Sequence, residues 1–473
     1  MEKILKELML NRGKYGHMEH DSRKIEKNGV FVALKGAAAD GHRYIGRAVE
    51  LGAVAVLHSD PVEKIPGIDY YQIENLRENL GDIASQFYGY PQDKLKIVGI
   101  TGTNGKTTVS YLVEAILGNE KIARIGTVEY KIGDEIIDAP NTTPESLDLV
   151  KFCLKAVEKG IKYLVMEVSS HALMLGRVKM LRLDVAAFTN LTPEHLDFHK
   201  TMEGYFEAKG KIFSLLKDEG EAVINVDDPY GDRYHLAHGG ISYGIEKGEL
   251  RGEYSGDKTL VKFSYKGKED RRKIKLLGRY NLYNILTALG IGLALGIEWE
   301  TLMDRVEKME GAPGRFEIVD CGQDFLALVD YAHTGDALEN LLKTVKDLGE
   351  HKVLTIFGCG GERDTKKRPE MARIAEEYSD LVIVTADNPR CESLDIIMKD
   401  IMSGFKNPEK VLLEPERDRA IRKAVQEAGK NSIIVVAGKG HETYQVFGRE
   451  KIHFDDREYL RKEIILKNKE AQR

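Results

Sequence analysis

A largely apolar run, Leu95 to Ile100, is followed by GTNGKTT (Gly102 to Thr108), and then by apolar residues at helical spacing: Val109, Leu112, Val113, Ile116 and Leu117. That order predicts a strand, a glycine turn and an amphipathic helix. Strand-like runs alternate with helical patterns nearly throughout. Leu164 to Glu167, Val185 to Phe188, Phe325 to Val329, KVLTIFG, LVIVTA and IIVVAG each run into a polar or glycine-rich turn. The predicted fold class is α/β, with parallel sheets whose turns line one edge.

The pattern also suggests where the chain divides, since 473 residues exceed what one core holds. A turn-rich stretch, YGYPQDK (Tyr88 to Lys94), precedes the first strong strand, and GAPGR (Gly311 to Arg315) stops a helical stretch before the strand at Phe325. The expected parts are residues 1–90, 91–312 and 313–473. Composition narrows the class: 42% hydrophobic and 31% charged residues describe a soluble globular chain. With 70 basic against 76 acidic residues and no long basic run, nucleic-acid binding is not expected. Cys153, Cys321, Cys359 and Cys391 lie far apart, which suggests neither a zinc knuckle nor a disulfide framework. No apolar stretch of about 18 residues is present, so no membrane span is expected and a cytoplasmic location is.

The glycine turn carries the first candidate chemistry. A strand, turn and helix N-terminus converge backbone N–H groups on one point, an anion site. Lys106 adds a mobile cation, and Thr107 offers a hydroxyl where a phosphate-bound magnesium needs an oxygen. Only Thr103 and Asn104 separate Gly102 from Gly105, so the loop is shorter than the usual phosphate loop. Glu167 ends the strand in LVMEVSSHA, where nucleotide-binding α/β domains place a carboxylate near magnesium. TNLTPEHLDFH (Thr189 to His199) packs two histidines and two acids into a turn. GCGGERD (Gly358 to Asp364) is a poor dinucleotide fingerprint, because Arg363 stands where the third glycine would be. An arginine in that turn suits an anionic ligand. Together with ADNPR (Ala386 to Arg390) and GKGHE (Gly438 to Glu442), it suggests a small zwitterionic ligand shared by three turns.

In order, GTNGKTT, NTTP (Asn141 to Pro144), EVSSHAL, TNL…EHLDFH, YFEAKGKIF (Tyr205 to Phe213), APGRFE, DYAHT, GCGGERD, DNPR and GKGHE resemble the Mur ligase family over nearly the whole chain. Within that family they look like the ligase that adds the third residue to the muramoyl peptide. The resemblance implies three domains: an N-terminal one for the UDP-sugar, a central phosphate-loop ATPase and a C-terminal Rossmann-like domain for the amino acid. It implies ATP as co-substrate, UDP-N-acetylmuramoyl dipeptide as acceptor, an acyl phosphate intermediate, magnesium, and a monomer.

Carried over by position, the loop residues Gly102, Thr103, Asn104, Gly105, Lys106, Thr107 and Thr108 hold ATP, with Asn284 at adenine and Arg315, Asp330 and His333 in ATP-side motifs. Thr107, Glu167 and His195 match magnesium ligands. Lys209 aligns with the lysine that the family carbamylates with carbon dioxide; Lys211 is the rival. Lys106, Glu167, His195 and Lys209 form the implied catalytic set. Ser22, Asn141, Thr142, Thr143, Ser169 and Arg177 fall on UDP-sugar peptide positions. Leu175 replaces a frequent glutamine, Ala37-Ala38-Ala39 replace more polar residues, and Gly335 stands where proline is common, which predicts a looser turn.

The amino acid is read from Arg363, Asp387, Asn388, Pro389, Arg390, Gly438 and Glu442. A guanidinium at Arg390 grips the second carboxylate of meso-diaminopimelate, whereas L-lysine would set an ammonium against it. A diamino-dicarboxylic acid is expected; meso-lanthionine has the same charged ends.

Overall fold

The computed structural model describes residues 2–36, 39–118, 120–255 and 257–471. Ala37 and Ala38, two of the three alanines noted in the early loop, lie outside the described residues. The chain forms two compact units: Met1–Gly252 with Phe263–Asp270 and Tyr283–Arg305, and Glu253–Lys262 with Arg271–Leu282 and Val306–Arg473.

The first unit holds two sheets. Strands β1 (His17–Glu19), β2 (Gly29–Ala33), β3 (Ala53–His58) and β4 (Asp69–Gln72) pair in parallel in that order. Period-two alternation explains why β2 is buried throughout: Val30 and Val32 enter one core cluster, Phe31 and Ala33 another. Strands β5 (Lys96–Thr101), β6 (Ile122–Ile125), β7 (Glu129–Ile132), β8 (Glu135–Asp138), β9 (Tyr163–Glu167), β10 (Leu183–Phe188), β11 (Leu216–Asn225) and β12 (Ile241–Gly244) make up eight of the eleven strands of the larger sheet, in the order β12-β11-β10-β5-β9-β6-β7-β8. From β12 to β6 the pairing is parallel; β7 and β8 turn back as an antiparallel edge. The glycine turn after β5 thus sits mid-sheet, between the ends of β10 and β9.

Both sheets share one core, in which Leu80, Ile83 and Phe87 join Leu147, Val150 and Met180. Polar bonds cross the same seam. Arg77 Nη1 donates to both oxygens of Glu145 at 2.9 Å, and Lys151 Nζ to Glu19 Oε2 at 2.6 Å. His20 Nε2 lies 2.9 Å from Asp148 Oδ2, and that bond, outweighing burial, raises the histidine's pKa above its ordinary value. A raised folded-state pKa gives stability that is present below the unfolded value and lost as pH rises through the folded one. Thermal unfolding from about pH 6 to about pH 9 should therefore show a decline in wild type that is smaller in His20→Asn. Parallel curves for the two proteins would exclude a charged pair there.

Strands β13 (Leu250–Ser255), β14 (Asp257–Tyr265) and β15 (Lys268–Lys273) come next along the chain. In the second unit, β16 (Glu317–Ile318), β17 (Leu326–Asp330), β18 (Lys352–Phe357), β19 (Leu381–Val384), β20 (Val411–Leu413) and β21 (Ser432–Ala437) form a sheet ordered β16-β17-β21-β18-β19-β20, parallel apart from β16. The apolar run of β21 is buried on both faces: Ile433, Val435 and Ala437 face one cluster, Ile434 and Val436 the other. A short hairpin, β22 (Tyr444–Phe447) and β23 (Glu450–His453), follows. The α/β class with parallel sheets is thus observed. Among the described residues no helix is long and apolar enough to cross a membrane.

Candidate active site

The loop after β5 adopts a conformation that its glycines permit. Gly102 has φ +145°, and a Cβ there would lie 1.9 Å from Thr189 Oγ1; Gly105 has φ +89°, and its Cβ would lie 2.3 Å from Asn284 Oδ1. Gly105 caps the helix Lys106–Leu117, whose first turn buries Thr107 and Thr108. The turn after β10 clamps the loop. Thr103 N donates to Asn190 O at 2.8 Å, Asn104 N to Asn190 Oδ1 at 3.0 Å, and Thr189 Oγ1 to Asn104 O at 2.6 Å. Thr189 and Asn190 were legible only as polar turn residues. Their role follows from β10 lying beside β5.

Glu167, at the end of β9, is wholly buried. Oε2 accepts from Thr107 Oγ1 at 3.0 Å and Thr127 Oγ1 at 3.1 Å, while Oε1 accepts from Thr127 N at 2.9 Å. Among the described residues no cationic side chain is bonded to it. A buried carboxylate held only by hydroxyls and an N–H seeks a cation, so a hydroxyl and a carboxylate at this point fit a hard divalent ion.

Lys106 Nζ donates to Gly102 O at 2.8 Å and Thr103 O at 2.9 Å, folded over its own loop. Lys209, from the helix Met202–Gly210, reaches the same carbonyl: its Nζ is 2.8 Å from Gly102 O and 4.5 Å from the Tyr205 ring centre. It is 1% exposed, whereas Lys211 is on the surface. Burial first, and the charge of Lys106 second, push the Lys209 pKa well below the ordinary lysine value. His195 sits in left-handed backbone at φ +56°, half exposed, its ring 5.0 Å from His171 and 6.3 Å from Tyr205. His199 Nε2 lies 2.8 Å from Ser170 Oγ and its ring stacks on Tyr205. Burial lowers the pKa of both His171 and His199.

The implied sugar-peptide residues gather around Glu167. Thr142 Oγ1 is 3.1 Å from Thr127 Oγ1, and Thr143 Oγ1 donates to Glu167 O at 2.9 Å. Ser169 N donates to Thr143 Oγ1 at 3.1 Å, and Asn141 O accepts from Tyr130 Oη at 2.5 Å. Arg177 donates to Thr143 O at 3.1 Å and pairs with Glu145 at 2.9 Å. Glu145, which bridges Arg77 and Arg177, had no signal in the sequence beyond its place after NTTP. Ser22, itself buried, opens the otherwise exposed turn Ser22–Lys24 after β1, and among the described residues no hydrogen bond joins it to this group. Leu175 caps the short helix Ser170–Met174 through its N–H, so its side chain takes no part in that cap.

In the second unit, β17, β21, β18 and β19 are consecutive neighbours and end in DYAHT, GKGHE, GCGGERD and DNPR. The turns interlock: a Cβ on Gly361 would lie 1.9 Å from Pro389 O, and Gly361 N donates to Asn388 O at 2.9 Å. Arg390, at φ +53°, donates from Nη1 to Gly361 O at 2.7 Å. Arg363 is exposed. Asn388 Nδ2 donates to Glu442 Oε2 at 2.8 Å, while Gly438 (φ +114°) lies against the Asp387 carboxylate. Two arginines that the sequence did not single out brace these turns. Arg368, wholly buried, grips Glu392 and Asp400; Arg417 is held by Asp456 at 2.6 Å and donates to Ala437 O at 3.0 Å. Among the residues expected in ATP-side motifs, Asp330 accepts from Phe316 N and Ala332 N, and burial raises its pKa. Arg315 stacks 4.7 Å over Tyr331, and His333 Nδ1 is 2.8 Å from Tyr331 O. Gly335 opens the helix Gly335–Asp347 under a Thr334 cap, with the Glu370 side chain against it, so the expected looseness meets a capped, covered turn.

A strand, glycine turn and helix beside a buried carboxylate in one unit, and four polar, glycine-rich turns on adjacent parallel strands in the other, fit the class of ATP-dependent ligases. The chain belongs to the Mur ligase family: residues 14–88 match its catalytic domain, 100–292 its middle domain and 314–440 its glutamate ligase domain. It is 51% identical to UDP-N-acetylmuramoyl-L-alanyl-D-glutamate--2,6-diaminopimelate ligase of Fusobacterium nucleatum over 98% of this chain and 96% of that one. A solved ligase structure of the same description is 30% identical with a TM-score of 0.70, covering 96% of this chain and 95% of that one. MurF ligase from Thermotoga maritima, solved with ADP, shares the fold at 18% identity and TM-score 0.66 over the full length of both chains.

Proposed function

We propose that this protein joins meso-diaminopimelate to UDP-N-acetylmuramoyl-L-alanyl-D-glutamate at the expense of ATP, in peptidoglycan precursor synthesis. The observation that carries this reading is the set of neighbouring strands ending in GCGGERD, DNPR and GKGHE, which unites a guanidinium, an amide and carboxylates around one sheet edge. The shared sequence with a ligase of that name supports it.

In this reading residues 1–90 receive the UDP-sugar through Ser22, 91–312 bind ATP, and 313–473 bind the amino acid. Loop N–H groups and Lys106 hold the phosphates, while Asn284 lies at the adenine. A dipeptide carboxylate oxygen attacks the γ-phosphorus, the bond to the β-phosphate oxygen breaks, and ADP leaves. The amine nitrogen of diaminopimelate then attacks the acyl carbon, phosphate is expelled, and the amine gives up a proton as the amide forms. Thr107, Glu167, His195 and a carbamate on Lys209 would hold magnesium, which when bound offsets charge on the transferred phosphoryl group. Burial supports that modification, because only a neutral amine attacks carbon dioxide. Thr143, Ser169 and Arg177 orient the peptide. A cytoplasmic monomer completes the reading.

Mass spectrometry of the product formed from the UDP-muramoyl dipeptide, ATP and a mixture of diaminopimelate, lanthionine and lysine tests it; a lysine adduct as main product would overturn it. Arg390 supplies a second test. Its Nη1 bond to Gly361 O orients the guanidinium, and charge-assisted bonds are worth roughly 1.5 to 3 kcal/mol. Arg390→Ala should raise KM for diaminopimelate about ten- to a hundredfold, leave those for ATP and the dipeptide near wild type, and weaken the bias against lysine. An unchanged ratio of the two amino acids would remove the carboxylate pairing.

A further inference from the structure

Lys439, the second residue of GKGHE, is a fully buried cation that the reaction above leaves without a role. Its Nζ donates to Glu442 Oε2 at 2.9 Å and to Asn388 Oδ1 at 3.4 Å, and lies 5.5 Å from the Tyr444 ring centre. Asn388 Nδ2 donates to that same Glu442 oxygen at 2.8 Å, which closes a triangle of lysine, carboxylate and amide. Asn388 Oδ1 accepts a further bond, from Val446 N at 3.0 Å. A buried ammonium is costly to maintain, and a pair of this kind is weak ground for stability. What the triangle does is geometric and electrostatic. Both bonds to Glu442 end on Oε2, so they fix the direction of Oε1. The lysine charge also cancels that of Glu442.

The charge around the turns follows. Arg368 and Arg417 are each tied to carboxylates of their own, Glu392 with Asp400, and Asp456. With Glu442 balanced by Lys439, Asp387 and Arg390 remain as the buried or half-buried charges of these three turns, one of each sign, while Glu362, Arg363 and Asp364 are exposed. A pocket with no surplus negative charge accepts a second carboxylate. Without Lys439 it would carry one uncompensated negative charge and would suit an ammonium terminus. We propose that Lys439 is a positioning residue for amino-acid selection: it holds Glu442 and Asn388 in one arrangement and balances the pocket's charge in favour of a diamino-dicarboxylic acid over lysine. This rests on the function proposed above.

Steady-state constants for diaminopimelate and lysine, with ATP and dipeptide saturating, test it on wild type, Lys439→Met, Lys439→Arg, Glu442→Gln and the double variant Lys439→Met/Glu442→Gln. In Lys439→Met the KM for diaminopimelate should rise about tenfold or more with a much smaller change in kcat, and the diaminopimelate-to-lysine ratio should move toward lysine. Lys439→Arg should restore part of that ratio. The double variant should be no worse than the poorer single one, since the two side chains act as a unit. Should Lys439→Met fail to fold, Lys439→Gln keeps a donor toward Glu442 without the charge, and the ratio should still shift. A folded Lys439→Met or Lys439→Gln with the wild-type ratio, or effects that multiply in the double variant, overturns the role of Lys439 alone. Wild type that forms no diaminopimelate product overturns the proposed function instead, and this preference with it.

Discussion

Lys209→Ala is expected to lower kcat by about a hundred- to a thousandfold, the scale of removing one charge-stabilising group from an active site. The side chain is buried, reaches the carbonyl of Gly102 in the phosphate loop, and lies within the field of Lys106. Two like cations beside one loop carbonyl are an unfavourable pair. Burial eases the conflict by favouring the neutral amine, the form that is nucleophilic toward carbon dioxide. The adduct would replace a second positive charge with a carboxylate-like anion. Formate or acetate in the buffer should then restore part of the activity to Lys209→Ala, and isotopically labelled bicarbonate should give a carbamate resonance that the variant lacks. Near-wild-type turnover in a folded Lys209→Ala would end the assignment. So would a wild type indifferent to removal of carbon dioxide, together with no carbamate resonance.

Much of this arrangement could be read along the chain because both large parallel sheets are covered on both faces. Strands such as β21 appear as unbroken apolar runs, and each ends where a polar turn begins. The turns themselves were legible for the same reason. Which turns are neighbours was not, since β21, last in the chain, inserts between β17 and β18. Partners brought together only by the fold were missed: Thr189 and Asn190 against the glycine loop, Glu145 between Arg77 and Arg177, and Lys439 against Asn388. The turn-rich stretch at Tyr88–Lys94 corresponds to a left-handed Tyr90 and a short turn, Pro91–Lys94. Yet the residues before and after it share one core and one compact unit, because helix Leu76–Phe87 packs its apolar face on helix Ser146–Glu158.

Lys106→Ala is expected to remove phosphoryl transfer, with kcat down about a hundred- to a thousandfold. The backbone around the side chain is already committed. Gly102 and Gly105 are held in left-handed conformations, and Thr189 and Asn190 bond to the loop from the next strand. Truncation at Lys106 should therefore leave the loop standing and the protein folded. What disappears is a mobile cation. Its Nζ folds back to Gly102 O and Thr103 O, both weak partners beside a polyphosphate, so the ammonium is placed to swing onto the β- and γ-phosphates when ATP arrives. Lys209 cannot substitute: it is buried, and in the proposed carbamate it bears the opposite charge. Lys106→Arg keeps the charge but brings a wider, planar head, and should recover only part of the rate. The KM for diaminopimelate should stay near wild type in both variants, because the turns proposed to bind the amino acid belong to the other compact unit. Single-turnover formation of ADP from ATP and dipeptide isolates the step. A Lys106→Ala protein that unfolds like wild type and still makes ADP at the wild-type rate would show that the shortened loop holds its nucleotide by backbone alone.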